Sequence, residues 1–263
     1  MMPGMVATSF VFDLLAGAGE IALGYFRADL NVHNKASGQQ YDPVTEADRA
    51  IERFLRNGIM SEHPEHGIVA EEFDDHQPQA RWRWYIDPID GTRAFMSGSP
   101  LWGTLLGLTC DGVPLLGAIG QPFLGEIFFA GDGVGELIRG EHRVPLRSRA
   151  TTALADAVLY CTDPDMFAGN EDFAARFEAL SEQVLLRRFG GDCYSYGMLA
   201  AGYIDLVVES GLKPYDIVPL IPLLESAGAV VTDWQGKSAM GGGDIVAAAN
   251  PALHARALSF LNG

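Results

Sequence analysis

Apolar side chains recur at three- and four-residue spacing from 6 to 27, with Val6, Phe10, Leu14, Ala18, Ile21 and Tyr25 on one stripe, which predicts an amphipathic helix. The stripe returns between Glu46 and Gly58 through Ala47, Ile51, Phe54 and Leu55, behind Thr45 in a capping position. At Trp84 the period shortens. Trp84-Tyr85-Ile86-Asp87 reads as a short strand, and residues 103–122 as two apolar strands folded about Asp111-Gly112, a dipeptide suited to a tight hairpin. The stretches EIFFAG (126–131) and GELIRG (135–140) extend the series with glycine breaks, so the first half is expected to form a mainly antiparallel sheet.

Beyond residue 150 the strand-like stretches VLYCT, VLLRRF, DLVVES and VVTDW alternate with helical patterns near 171–182, 193–202 and 216–227. The expected fold class is therefore α/β of the layered α+β kind, an αβαβα sandwich. Its N-terminal half, 1–150, holds the antiparallel sheet, and its C-terminal α/β half, 151–263, is packed tightly against it. No Pro/Ser-rich linker or internal repeat marks the change.

Composition narrows the function classes. The 263 residues are 48% hydrophobic and 20% charged, as in ordinary globular proteins. No apolar run is long enough to span a membrane and no signal-peptide pattern opens the chain, so a cytoplasmic protein is expected. Cys110, Cys161 and Cys193 show no C-x-x-C pair and are expected in the core or lining a site. A formal charge of −16 disfavours nucleic acid and anionic membrane as partners, since both are bound by neutralising phosphates with Lys and Arg. A small phosphorylated metabolite stays compatible if bound cations reverse the local field.

The acids sit at element boundaries. Asp87-Pro88-Ile89-Asp90-Gly91-Thr92 follows the strand at Trp84, bringing two carboxylates and a Gly-Thr turn together, an oxygen set that suits a hard cation such as Mg2+. Gly91 permits close backbone approach to a ligand. A plain Asx/Pro turn with solvated aspartates is the competing reading. Asp48 lies at the start of the second helix, Glu71-Glu72 end the run GIVAEE, and Asp216 in LKPYD opens the helix leading to Gly228. Each alone is explained by dipole or capping preferences; together they resemble a site. His63 and His66 are separated by Pro64 and carry no zinc signature, so both are expected on a surface loop. No G-x-S-x-G elbow is present.

DPVTEAD (42–48), GIVAEE (67–72), WYIDPIDGT (84–92), KPYD (213–216) and ESAGAVVTDWQG (225–236) resemble the inositol monophosphatase-like, lithium-sensitive magnesium phosphatases, in the family's order and over most of the chain. The resemblance implies that Glu71, Asp87 and the Ile89 carbonyl bind one Mg2+, that Asp87, Asp90 and Asp216 bind a second, and that Glu71 helps hold a third. It implies that Asp48 and Thr92 serve the attacking water alongside Glu71, that Gly91 and Thr92 receive the phosphate, and that the protein is a homodimer.

The segment 187–216 resembles the histidinol-phosphate phosphatase branch, through Phe-Gly-Gly-Asp-Cys-Tyr and Leu-Lys-Pro-Tyr-Asp. Histidinol phosphate carries an ammonium and an imidazole, so Asp192 and Glu209 are candidate substrate-binding acids, with Asp192 on the ammonium. A capping role is the alternative for Asp192. Inositol-1-phosphate or a broader sugar or polyol phosphate is the alternative substrate, and a catalytically silent regulatory protein on the same fold the alternative class. Lys35 and Gly38 lie in a loop read either as a flap or as plain surface, and Lys35 stays outside the expected catalytic set.

Overall fold

In the computed structural model, which describes residues 6–27, 32–34 and 43–262, the first apolar stripe forms α1 (Thr8–Tyr25) and buries Val11, Leu14, Leu15, Ala18 and Ala22. Strands β1 (Val32–Asn34) and β2 (Pro43–Thr45) pair antiparallel ahead of α2 (Glu46–Glu62). α2 runs past the expected end at Gly58 because Ile59 continues its buried face. Lys35 and Gly38 lie outside the described residues.

Next come β3 (Gly67–Ala70), β4 (Trp82–Asp90), the short α3 (Thr92–Ser97), β5 (Gly103–Cys110), β6 (Val113–Gln121), β7 (Glu126–Gly131), β8 (Val134–Arg139) and β9 (His142–Pro145). They form a seven-stranded sheet in sequence order. Only β3 and β4 run parallel; each later pair is antiparallel, and Asp111-Gly112 turns between β5 and β6 as its residue types require.

The second half contains β10 (Val158–Cys161), α4 (Glu171–Ser181), β11 (Leu186–Phe189), α5 (Asp192–Ala200), β12 (Leu206–Leu212), α6 (Pro214–Ile217), α7 (Ile221–Ser226), β13 (Val230–Asp233), β14 (Gly243–Ala248) and α8 (Pro251–Leu261). Its five strands make a mixed sheet in the order β11-β10-β12-β14-β13. The first sheet ends at Pro145 and the second begins at Val158.

Three apolar layers interleave helices with the two sheets. α1 and α2 cover one face of the larger sheet, burying Leu14, Ile51 and Leu55 against Trp84 and Leu106. α5 and α7 fill the space between the sheets, where Leu105 and Phe128 of the first half meet Leu199, Val207 and Leu224 of the second. α4 and α8 close the outer face of the smaller sheet around Phe177, Trp234 and Leu253. This is the expected alternation of helix and sheet layers.

Two departures from the sequence reading bear on function. The single helix expected over 216–227 is two, α6 and α7, because Pro219 has no N–H to donate and its ring clashes with the carbonyl a turn earlier. Pro222 is harmless at the start of α7, where N–H groups lack helical partners anyway. The motif Asp87–Asp90, expected in a loop after the strand, is the strand's own end. β4 stays in the ladder to Asp90, with Asp87 opposite Leu105 and Asp90 opposite Gly103, and the shift of register between them leaves Pro88 and Ile89 out of the pairing.

Candidate active site

The two halves enclose a cavity of about 210 Å3. Glu71, Asp87, Ile89, Asp90, Gly91 and Thr92 line it from the first half, and Thr162, Met166, Asp192, Tyr196, Glu209, Leu212 and Asp216 from the second. The six acids arrive on five supports. Glu71 follows β3, Asp87 and Asp90 occupy the bulged end of β4, Asp192 begins α5, Glu209 lies in β12, and Asp216 is the third residue of α6.

Local hydrogen bonds hold this arrangement. The Thr104 hydroxyl on the neighbouring β5 donates to the Pro88 carbonyl at 2.8 Å, and the Thr92 hydroxyl donates to the Ile89 carbonyl at 3.1 Å. Gly91 takes φ +90°, and a Cβ there would sit 3.0 Å from the Leu101 carbonyl oxygen and 3.2 Å from the Asp192 side chain. Only glycine fits both demands. Asp216 accepts the Lys213 N–H at 2.7 Å, so it closes the first turn of α6 from inside the helix rather than opening it. The link from α6 to α7 lies close on the sheet because Gly117 of β6 offers no side chain where the Pro219 carbonyl rests.

The electrostatics are those of crowded anions. Burial, then the charges of Glu71, Asp90, Asp216 and Asp48, push the Asp87 carboxyl well above the usual carboxylate range. Asp48, buried on α2, contributes to this field without lining the cavity. Asp90 is also pushed well up, by burial and by Asp192, Asp216 and Glu209, against a lowering bond from the Cys193 N–H. Asp216 rises to about 6 through burial, restrained by the Lys213 N–H and by contact with Asp87. Asp87 Oδ1 is buried and meets no hydrogen-bond donor among the described residues. Among the described residues lining the cavity there is no Lys, Arg or His.

The opposite wall is organised differently. Glu209 is buried, yet its Oε1 accepts the Thr162 N–H at 3.1 Å and its Oε2 the Tyr196 hydroxyl at 2.8 Å. Asp192 follows Gly191 as the first residue of α5, and its N–H donates to the Thr162 hydroxyl at 3.1 Å, while its carboxyl accepts the Gly191 N–H. Burial and the Glu209 charge raise its carboxyl to about 7. At the rim, Arg93 pairs with Asp163 across the two halves at 3.3 Å.

Fold and cavity thus bring Glu71, Asp87, Ile89, Asp90, Gly91, Thr92, Asp192, Glu209 and Asp216 together, with Asp48 behind Asp87. Thr162, Met166, Tyr196 and Leu212 were not foreseen. Tyr196 alone had a usable signal, four residues after Asp192 and so on the same face of a helix. The surface placement expected for both histidines is corrected for His66, which is fully buried, stacks on His63 at 4.6 Å and accepts the Trp84 indole N–H on Nδ1 at 3.1 Å. The indole partner, distant in sequence, satisfies the ring and makes its burial tolerable. A neutral ring accepting at Nδ1 carries its proton on Nε2, so the nearby His63–Glu65–His66 cluster lacks a free imidazole lone pair for a metal at that atom. Cys161 and Cys193 are buried and free, and Cys110 is partly exposed.

No described helix is long and apolar enough to cross a membrane. Residues 6–262 match the model of the inositol monophosphatase family. A chloroplastic bifunctional phosphatase IMPL2 of Arabidopsis thaliana is 36% identical over 94% of this chain and 72% of its own length. A histidinol-phosphatase of Chlorobaculum parvum is 35% identical over 92% and 91% respectively. Among solved structures, an inositol monophosphatase from Zymomonas mobilis superposes with a TM-score of 0.85 at 36% identity, covering 97% of each chain. Six carboxylates around one cavity, on a fold and sequence shared with named phosphatases, identify the chain as a member of the inositol monophosphatase family and a phosphoric monoester hydrolase.

Proposed function

We propose that the chain hydrolyses L-histidinol phosphate to L-histidinol and inorganic phosphate in a Mg2+-dependent reaction, with water as the nucleophile. The observation that carries the metal requirement is the buried Asp87 Oδ1, which has no donor among the described residues and lies in a cavity lined by carboxylates and no cationic side chain. A phosphate dianion enters such a place only if positive charge accompanies it.

Glu71, Asp87, the Ile89 carbonyl, Asp90 and Asp216 form the all-oxygen set that would hold two or three Mg2+ ions, with Asp87 shared. Bound there, Mg2+ would lower the pKa of water and neutralise charge on the phosphoryl and leaving oxygens. Thr92 directs its proton to the Ile89 carbonyl, which leaves its oxygen turned to accept one from the attacking water. Asp48 and Glu71 complete the acids that orient and deprotonate that water. Gly91 and Thr92 present backbone to the phosphate. The water oxygen forms the new P–O bond in line with the ester bond that breaks, and the departing alkoxide takes up a proton.

The substrate reading rests on Asp192. It faces the same cavity beyond the proposed metal acids, and burial beside Glu209 raises its carboxyl to about 7, so an ammonium would relieve a real electrostatic cost. Glu209 shapes this wall with both oxygens already held. The histidinol-phosphatase relative supports the same substrate. A cytoplasmic homodimer is part of the reading through the family resemblance, and sedimentation of the purified chain tests the dimer.

Phosphate release from L-histidinol phosphate, inositol-1-phosphate and a sugar phosphate, with and without Mg2+, is the deciding measurement. The expected order places histidinol phosphate first, with no turnover in chelator. Asp192→Asn is expected to raise KM for histidinol phosphate by about tenfold or more, the worth of one hydrogen bond between charged groups. An unchanged KM with activity intact removes Asp192 from the ammonium site. Preference for inositol phosphate transfers the chain to the polyol branch, and release from none supports a silent regulatory role.

A further inference from the structure

Behind the cavity, α2 grips the segment that follows Glu71. Glu52 is fully buried one helical turn beyond Asp48, on the same face of α2. Its Oε2 accepts the Glu72 N–H at 2.6 Å and its Oε1 the Phe73 N–H at 3.2 Å. A turn further on, Arg56 donates to Glu52 Oε1 at 2.7 Å and to the carbonyls of Phe73 at 3.0 Å and Asp74 at 2.9 Å. The guanidinium groups of Arg53 and Arg56 also lie over the Phe73 ring, at 5.5 and 5.8 Å.

Residues 72–74 are therefore held through both their N–H and C=O groups, immediately after an acid that lines the cavity, by the helix that carries another acid of the same cluster. The Glu52–Arg56 pair carries no net charge, so it fixes the loop without adding to the repulsion around Asp87. A loop tied down only to satisfy its backbone would need no such proximity to Glu71.

We propose that Glu52 and Arg56 are positioning residues, which lock the Glu71 segment to α2 so that Glu71 and Asp48, from separate elements, keep one geometry toward the bound cation. The inference rests on the metal-binding reading of Glu71 and Asp87.

Calorimetric titration of Mg2+ into the full chain tests it directly, without reference to turnover. In Glu52→Gln the dissociation constant is expected to rise about tenfold to a hundredfold, the usual cost of losing a group that orients metal ligands. Arg56→Gln is expected to move it the same way by less, and decides the matter if Glu52→Gln does not fold. Ile59→Val, a cavity on the same helix away from the loop, is expected to lower thermal stability and leave Mg2+ affinity unchanged. A dissociation constant within about twofold of the parent in Arg56→Gln and in any folded Glu52→Gln overturns the positioning role, even if stability falls. Where the parent binds Mg2+ and Asp87→Asn does not, an unchanged constant in the Glu52 and Arg56 variants rejects the clamp alone; if the parent binds none, the metal reading falls with it.

Discussion

Asp87 and Glu209 are both buried carboxylates on the same cavity, and the protein treats them in opposite ways. Glu209 receives a backbone N–H and a tyrosine hydroxyl, one for each oxygen, which counteract the upward push of burial. Asp87 has one oxygen without a donor among the described residues and four acidic neighbours that raise it further. One wall is satisfied by the fold's own hydrogen bonds. The other leaves a buried carboxylate oxygen without a donor among the described residues, the wall at which Mg2+ is proposed to bind.

The largest effect expected from this contrast is at Asp87. Asp87→Asn should cut phosphate release on the order of a thousandfold, since several kcal/mol of charge stabilisation in the transition state depend on it. In chelator the same variant should be more thermostable than its parent, because repulsion is relieved; a lower melting temperature there would break the comparison. Gly91→Ala comes next. It forces φ +90° on a residue with a Cβ and presses it on Leu101 and Asp192, so a stability loss of about 1–3 kcal/mol is expected in scanning calorimetry, with a fall in kcat/KM.

Glu209→Gln should behave as the mirror of Asp87→Asn. An amide retains one acceptor where the wall supplies two donors, so chemical denaturation should show a loss of about 1–2 kcal/mol with or without Mg2+. Stabilisation of the chelated protein by this change would place Glu209 with the metal acids instead. The smallest effect is the pH profile. Asp216 at about 6 and Asp192 at about 7 stand above the ordinary carboxylate range, so the folded state favours their protonated forms. The stability they contribute is present below that range and is lost as pH rises through 6 and 7. Melting temperature in chelator should therefore decline between about pH 4 and 7, and flatten when Mg2+ is added; an upward slope in chelator contradicts it.

Much of the wall around Asp87 was legible in the chain because its acids stand in short, ordered motifs at element boundaries. Asp87, Asp90, Gly91 and Thr92 are neighbours in sequence, and local chemistry alone marks them as a turn rich in oxygen ligands. Even there the structure altered the support, since the acids occupy the bulged end of β4 and not a loop beyond it. The wall around Glu209 was less legible. Thr162, Met166 and Leu212 carry no chemical signature of their own, and reach the cavity only because β10 and β12 lie side by side in the smaller sheet. His66 departs from the expected surface placement for a related reason: its burial depends on an indole donor 18 residues away across the β3–β4 pairing.

The sequence by itself determined the periodicity of the layers, the acidic motifs and their order, because these depend on near neighbours and on side-chain type. Only the tertiary structure decided which acids share a cavity, which of them own hydrogen-bond donors, and that Glu52 and Arg56 tie the Glu71 segment to α2. Those outcomes turn on distances of a few ångströms between residues far apart in the chain, and such distances are set by how the layers pack.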